Sequence, residues 1–149
     1  MNLLQGDCLE LMKDIPDESV DLTVTSPPYD NLRSYNGNIS QWSFEKFQVI
    51  AKELYRVTKQ GRVVVWVVGD ATIKGSETGT SFRQALFFMG CGFRLHDTMI
   101  FSKRNPIPLT HNRYEQYFEY MFVFSKGKPK VFNPIMIPCE TAGSRINHL

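Results

Sequence analysis

The sequence predicts a three-layer α/β domain built on a largely parallel sheet, and three segments carry that expectation. Val20-Asp21-Leu22-Thr23-Val24 alternates apolar and polar residues, as a strand with one covered face requires. Residues 43–58 place Phe44, Phe47, Ala51, Leu54 and Val57 on one helical face, with Ser43 positioned as an N-cap. Residues 62–68 are continuously apolar and mostly β-branched after Arg62, the pattern of a strand buried on both faces of a parallel sheet.

The other elements follow in order. A short strand is expected ahead of Asp7. Leu9, Met12 and Ile15 then recur at helical spacing until Pro16 stops the run. Residues 30–42 are polar and contain Asn31, Asn36, Gly37 and Asn38, so they read as a loop. Gly61 suits the exit of the 43–58 helix. Gly69-Asp70 ends the buried strand at a position where open α/β sheets place ligands, although a plain turn aspartate is the favoured reading there. Phe82, Ala85, Leu86 and Met89 define a further helix closed by Gly90 or Gly92. Residues 93–101 and 117–124 read as strands around a loop rich in proline and asparagine, and residues 130–149 are irregular.

The chain has 149 residues, 42% hydrophobic and 21% charged, which suits one domain with a real core. No apolar run approaches a membrane span, and the N-terminus lacks a signal-peptide pattern. Cys8, Cys91 and Cys139 are odd in number and scattered, which argues against a disulfide framework or a zinc site. His96, His111 and His148 show no metal-ligand spacing. A reducing cytoplasm and no metal are therefore expected. The net charge is only +2, but Lys103, Arg104, Arg113, Lys126, Lys128 and Lys130 face only Glu115 and Glu119 in their stretch. Such a basic segment suits phosphate contacts, and solvated lysines at loop ends explain any one of them equally well.

Thr25-Ser26-Pro27-Pro28-Tyr29 ends the first alternating strand with a hydroxyl, two prolines and an aromatic ring. Both prolines fix φ and lack an N–H, so the turn is stiff. It can hold oxygen acceptors outward beside a flat ring, a clamp for a planar base with an exocyclic amine. An ordinary strand-to-loop turn uses the same residues.

Gly6-Asp7-Cys8-Leu9-Glu10-Leu11-Met12, then residues 15–22, then Ser26-Pro27-Pro28-Tyr29 together resemble the amino-methylating DNA methyltransferases. The order resembles their permuted class, which carries this tetrapeptide near the N-terminus. The resemblance covers about residues 3–130. It implies a Rossmann-like methyltransferase fold, mostly parallel with an antiparallel hairpin at its edge. It also implies S-adenosylmethionine as cofactor, double-stranded DNA as partner, and a restriction–modification or phage setting. Nothing after Tyr29 resembles the family's Asp-Pro-Phe-x-Gly-x-Gly-Thr cofactor segment. On that resemblance the expectation is an incomplete catalytic domain missing two central strands and not competent alone. The edges at 20–25 and 63–68 would then be unpaired, giving an oligomer or a rearranged, weakly stable sheet.

The resemblance assigns catalysis to Ser26, Pro27, Pro28 and Tyr29, and cofactor contact to Asp7, Cys8 and Thr25. Target-base or DNA contact falls to Tyr29, Lys103, Arg104, Arg113, Tyr114 and Tyr120, with Tyr117 a further aromatic candidate. Two local alternatives stay open: Asp7 is equally placed to cap the next helix, and alternating aromatics at 117–124 are commonly strand core. Serine at the head of the tetrapeptide favours cytosine N4 over adenine N6. Methylation of a protein glutamine fits less well, since those enzymes begin the motif with Asn and carry it later. A non-catalytic DNA-binding fragment is the reading from another class.

Overall fold

The computed structural model describes residues 2–29, 42–105 and 113–136. Nearly all of the expected 30–42 loop, part of the loop after the fifth strand, and the segment beyond residue 136 lie outside them.

Among the described residues nine elements follow one another: α1 (Cys8–Met12), β1 (Val20–Thr25), α2 (Phe44–Val57), β2 (Thr58–Val68), β3 (Thr72–Ile73), β4 (Ser76–Glu77), α3 (Thr80–Gly90), β5 (Arg94–Ser102) and β6 (Phe118–Ser125). The main sheet has the order β1-β2-β6-β5. β1 and β2 are parallel, and β6 runs against both β2 and β5, so β1, β2 and β5 share one direction. This is the α/β class expected, with the antiparallel pair at one edge.

α2 forms where its sequence demands. Ser43 Oγ accepts from the Lys46 amide at 3.2 Å, satisfying one of the free N–H groups of the first turn. Glu45 in the first turn and Arg56 in the last suit the helix dipole. Phe47, Ile50, Ala51, Leu54 and Val57 are buried along one stripe. The helix then passes straight into β2 through Thr58, whose hydroxyl donates to Leu54 O at 2.6 Å.

Gly61 is not the helix exit. It lies inside β2 at φ +77°, where the register jumps from Val20 opposite Thr58 to Leu22 opposite Val63. A Cβ there would stand 2.5 Å from Lys130 Cγ, so glycine serves a bulge that the C-terminal segment crosses. A positive-φ glycine fits either role, and the local sequence does not distinguish them.

The core sits on one face of the sheet. Val64, Trp66, Val68, Phe122 and Phe124 meet Phe47 of α2 and Phe88 of α3 in a single cluster. Trp66 packs edge-on against Phe88 at 5.1 Å, and Phe88 stacks on Phe124 at 4.6 Å. Each fully buried large side chain is worth roughly 1.5–3 kcal/mol in transfer terms. Trp66 Nε1 donates to Gln84 Oε1 at 2.8 Å, so the indole is buried without losing its hydrogen bond.

Three sequence expectations change here. Both long helices pack on the same face, so the described residues form two of the three expected layers. Val63, Val65 and Val67 are accordingly half-buried rather than buried. β2 is paired on both sides, so no open edge exists at 63–68; within the described residues only β1 and β5 are edge strands of this sheet. Among the described residues no strand precedes Asp7, and Leu3 and Leu4 are exposed, because a strand needs a neighbour to bond and none of the described strands lies beside them.

Candidate active site at the carboxyl ends of the strands

The shared direction of β1, β2 and β5 brings their carboxyl ends together, and β6 begins at the same end. Four segments therefore meet: the 26–29 turn after β1, Gly69-Asp70 after β2, Lys103 after β5, and Glu119 at the start of β6. Pro27 is buried and anchors the turn, while Ser26 remains exposed and Tyr29 half-buried.

Tyr29 reaches across the end of β2 to a strand that β1 does not touch. Its ring passes Gly69, where an added Cβ would lie 3.7 Å from Tyr29 Cδ2 and Cε2. Ser26 Oγ donates to Tyr29 Oη at 2.8 Å, and Tyr29 Oη donates to Glu119 Oε2 at 2.6 Å. Lys103 Nζ pairs with the other Glu119 oxygen at 2.8 Å, with Glu119 only 15% exposed. The Lys103 amide donates to Tyr117 O at 2.6 Å, which fixes the two strand ends against each other.

Asp7 is the N-cap of α1 and accepts from the Leu9 amide at 2.9 Å. Its second oxygen meets Lys46 Nζ at 2.9 Å, joining α1 to the first turn of α2. The Lys46 hydrogen bond, then the Leu9 amide, holds its carboxyl below the usual range. The capping alternative raised for Asp7 is thus realised, and the carboxylate is still 46% exposed. Cys8 opens α1 and is exposed; Thr25 closes β1 opposite Trp66.

Asp70 has the turn role favoured for it. Gly79 precedes α3 without a side chain to cap it, and Asp70 substitutes by accepting from the Ser81 amide at 2.9 Å and from the Ser81 hydroxyl.

The basic segment does not form one surface. β6 carries the chain eight residues from one end of the sheet to the other, about 25 Å at a strand's rise. Lys103 and Arg104 stay near the turn. Lys126 is instead buried at the far end, bonded to Tyr55 O at 2.9 Å, paired with Glu18 at 3.1 Å and set over the Tyr55 ring. Lys128 and Lys130 belong to that far end too, beside Gly61. Lysine count in a sequence window takes no account of a strand crossing the molecule.

Arg113 and the fully exposed Tyr114 sit by the β3–β4 hairpin, where Arg113 donates to Gly75 O and both line an open cavity of about 600 Å³. Tyr120 lies half-buried in an aromatic row, stacked on Phe122 at 5.5 Å with Phe82 edge-on at 5.1 Å. Its ring is engaged as strand core, while Tyr117 is half exposed. The structure thus brings Ser26, Tyr29 and Lys103 together and leaves Arg113 and Tyr114 by the hairpin. Sequence reasoning missed Glu119 and Lys46. A lone acid in an aromatic strand was the available signal for Glu119; nothing local marked Lys46.

Comparison with known proteins bears on this arrangement. The family model described as DNA methylase matches residues 20–145. The orphan methyltransferase M.BamHII of Bacillus amyloliquefaciens is 63% identical over 123 residues, spanning 83% of this chain and 44% of that protein. The solved cytosine-N4-specific PvuII DNA methyltransferase superposes with a TM-score of 0.71 at 25% identity, over 84% of this chain and 49% of its own. M1.HpyAVI, solved as its SAM complex, superposes at 0.63 and 23% identity, over 89% and 57%. The chain spans about half or less of the length of these relatives.

Proposed function

The chain belongs to the DNA methylase family, and from that premise we propose that it supplies the target-amine side of S-adenosylmethionine-dependent methylation of an exocyclic amine in duplex DNA. The observation that carries the proposal is the exposed Ser26 hydroxyl on a proline-stiffened turn, oriented by Tyr29 at the carboxyl end of β1. Cytosine N4 is the favoured target, supported by Ser26 at the head of the tetrapeptide and by the name of the PvuII relative. Adenine N6 is the alternative within the same chemistry. The order of the motifs is read as the permuted class, in a cytoplasmic setting.

An exocyclic amine is a poor nucleophile because its lone pair is delocalised into the ring. Oxygen acceptors at its hydrogens favour the pyramidal, increasingly positive nitrogen of the transition state over the flat ground state. Ser26 Oγ and the Pro27 carbonyl are the acceptors in this reading. Tyr29 offers its ring to the base, which must leave the helical stack to be reached. Lys103 and Arg104, at the same end of the sheet, are assigned to phosphates, and Arg113 and Tyr114 to a more distant part of the DNA.

Asp7 fits the amino group of the cofactor's adenine: after serving the Leu9 amide and Lys46, each carboxylate oxygen keeps a second acceptor direction. Cys8 and Thr25 are assigned to the same cofactor in this reading. S-adenosylmethionine, when bound, supplies an electrophilic methyl on its sulfonium sulfur. Near it the chain's own task is to hold the amine and exclude water as a competing nucleophile.

The test is incubation of the chain, extended by the C-terminal remainder of its relative M.BamHII, with methyl-labelled S-adenosylmethionine and duplex DNA, followed by mass spectrometry of the nucleosides. Label on cytosine N4 supports the favoured reading, and label on adenine N6 supports the alternative. DNA binding with no label on either base supports the non-catalytic reading instead.

A further inference from the structure

We infer that Glu119, acting through Tyr29, fixes Ser26 as a hydrogen-bond acceptor and thereby makes the turn select an amine over a carbonyl. This deepens the proposed reading of the turn and rests on it. The proton count of the three groups fixes the direction of each bond. A carboxylate has no proton to give, so the 2.6 Å contact between Tyr29 Oη and Glu119 Oε2 requires the single tyrosine proton. Tyr29 Oη then has nothing left to donate and accepts across the 2.8 Å contact with Ser26. The single Ser26 proton is used there. What Ser26 turns outward is therefore lone pairs only.

An outward acceptor meets the N–H of cytosine N4 or adenine N6 and repels the oxygen that thymine or guanine carries at the equivalent place. The polarity begins at Lys103, whose ammonium occupies the other Glu119 oxygen at 2.8 Å. Glu119 acts on the base only through Tyr29 and Ser26 in this inference, so it is a positioning residue. Its distance in sequence from Ser26 is bridged by the passage of Tyr29 over Gly69.

Lys103 also fixes what the isosteric substitution Glu119→Gln does. The ammonium takes the amide oxygen and leaves the NH₂ facing Tyr29. The NH₂ donates to Tyr29 Oη, the tyrosine proton turns to Ser26, and the serine proton turns outward. The relay is reversed without a change of shape.

Two measurements test this. In neutron diffraction from crystals of the deuterated chain, the Tyr29 deuteron is expected to point at Glu119 and the Ser26 deuteron at Tyr29. A Tyr29 deuteron directed at Ser26, or a deuteron on Glu119, overturns the inference. These positions are read whether or not the chain binds bases or transfers methyl groups, so failure of the relay and failure of the amine reading are separate results. In the second, NMR titrations give the affinity ratio of deoxycytidine to deoxyuridine for the chain. Glu119→Gln is expected to lower that ratio about tenfold or more, and to have little further effect in the Tyr29→Phe background. An unchanged ratio, or an equal loss in both backgrounds, overturns it.

Discussion

Tyr29 Oη lies 2.6 Å from Glu119 Oε2, joining residues 90 apart in sequence across the end of a strand that carries neither of them. β2 separates β1 from β6, and the crossing is possible because position 69 carries no bulky side chain. The candidate site is thus a property of the sheet order, and the sheet order is what the parallel β1–β2 and antiparallel β2–β6 pairings impose.

Gly69 gives the first prediction. A single Cβ would reach only ordinary contact distance from Tyr29 and Glu119, 3.7 Å. Gly69→Ala is therefore expected to preserve both fold and base binding. Gly69→Leu is expected to push the Tyr29 ring aside and weaken deoxycytidine binding by about tenfold or more, since a displacement of order 1 Å is costly in a positioned site. Equal binding by the two variants, measured by NMR titration, contradicts the crossing.

Asp70 is predicted to act on stability. It caps α3 in place of Gly79 through two bonds to Ser81. Asp70→Ala is expected to cost about 1–2 kcal/mol in urea unfolding, the usual value of a lost cap. A variant as stable as the wild type would contradict the capping role.

The division of the basic residues predicts two different phenotypes. Arg104→Ala is expected to reduce the slope of log affinity for duplex DNA against log salt by about one. Lys126→Met is expected to leave that slope unchanged and to lower the melting temperature, since Lys126 satisfies Tyr55 O from a buried position. A reduced salt slope for Lys126→Met would return the far end of the sheet to the DNA surface.

Asp7 predicts a pH dependence. Its folded-state pKa is depressed, first by Lys46 and then by the Leu9 amide. The stability it contributes is present above the unfolded carboxylate pKa of about 3.9 and is lost as pH falls through the folded value. The melting temperatures of wild type and Lys46→Met should therefore differ at neutral pH and converge on acidification. A difference that persists undiminished at about pH 2 would show that the Lys46 effect does not run through the Asp7 charge.

Much of the fold was legible because local and tertiary signals agree. Ser43 and the Phe47-Ala51-Leu54 stripe define α2 by capping and period, and residues 62–68 can hardly be other than a strand. The exposed leucines before Asp7 show the limit, since a strand is made by its neighbour and not by its own residues. Gly61 shows another, because one positive-φ glycine serves a helix exit or a bulge equally well. Of the site, Ser26 and Tyr29 were legible from the proline turn. Glu119 was not, because its partner is set by strand order rather than by any spacing in the chain.

The central claim is that the turn at 26–29 receives an exocyclic amine. The direct measurement is the perturbation of the Ser26 and Tyr29 amide signals in NMR spectra of the chain titrated with deoxycytidine, deoxyadenosine and thymidine. The account predicts saturable shifts centred on Ser26 and Tyr29 with the amine-bearing nucleosides, weaker by about tenfold or more in Ser26→Ala and with thymidine. Shifts that are equal for all three nucleosides, or that leave Ser26 and Tyr29 unmoved, would contradict it.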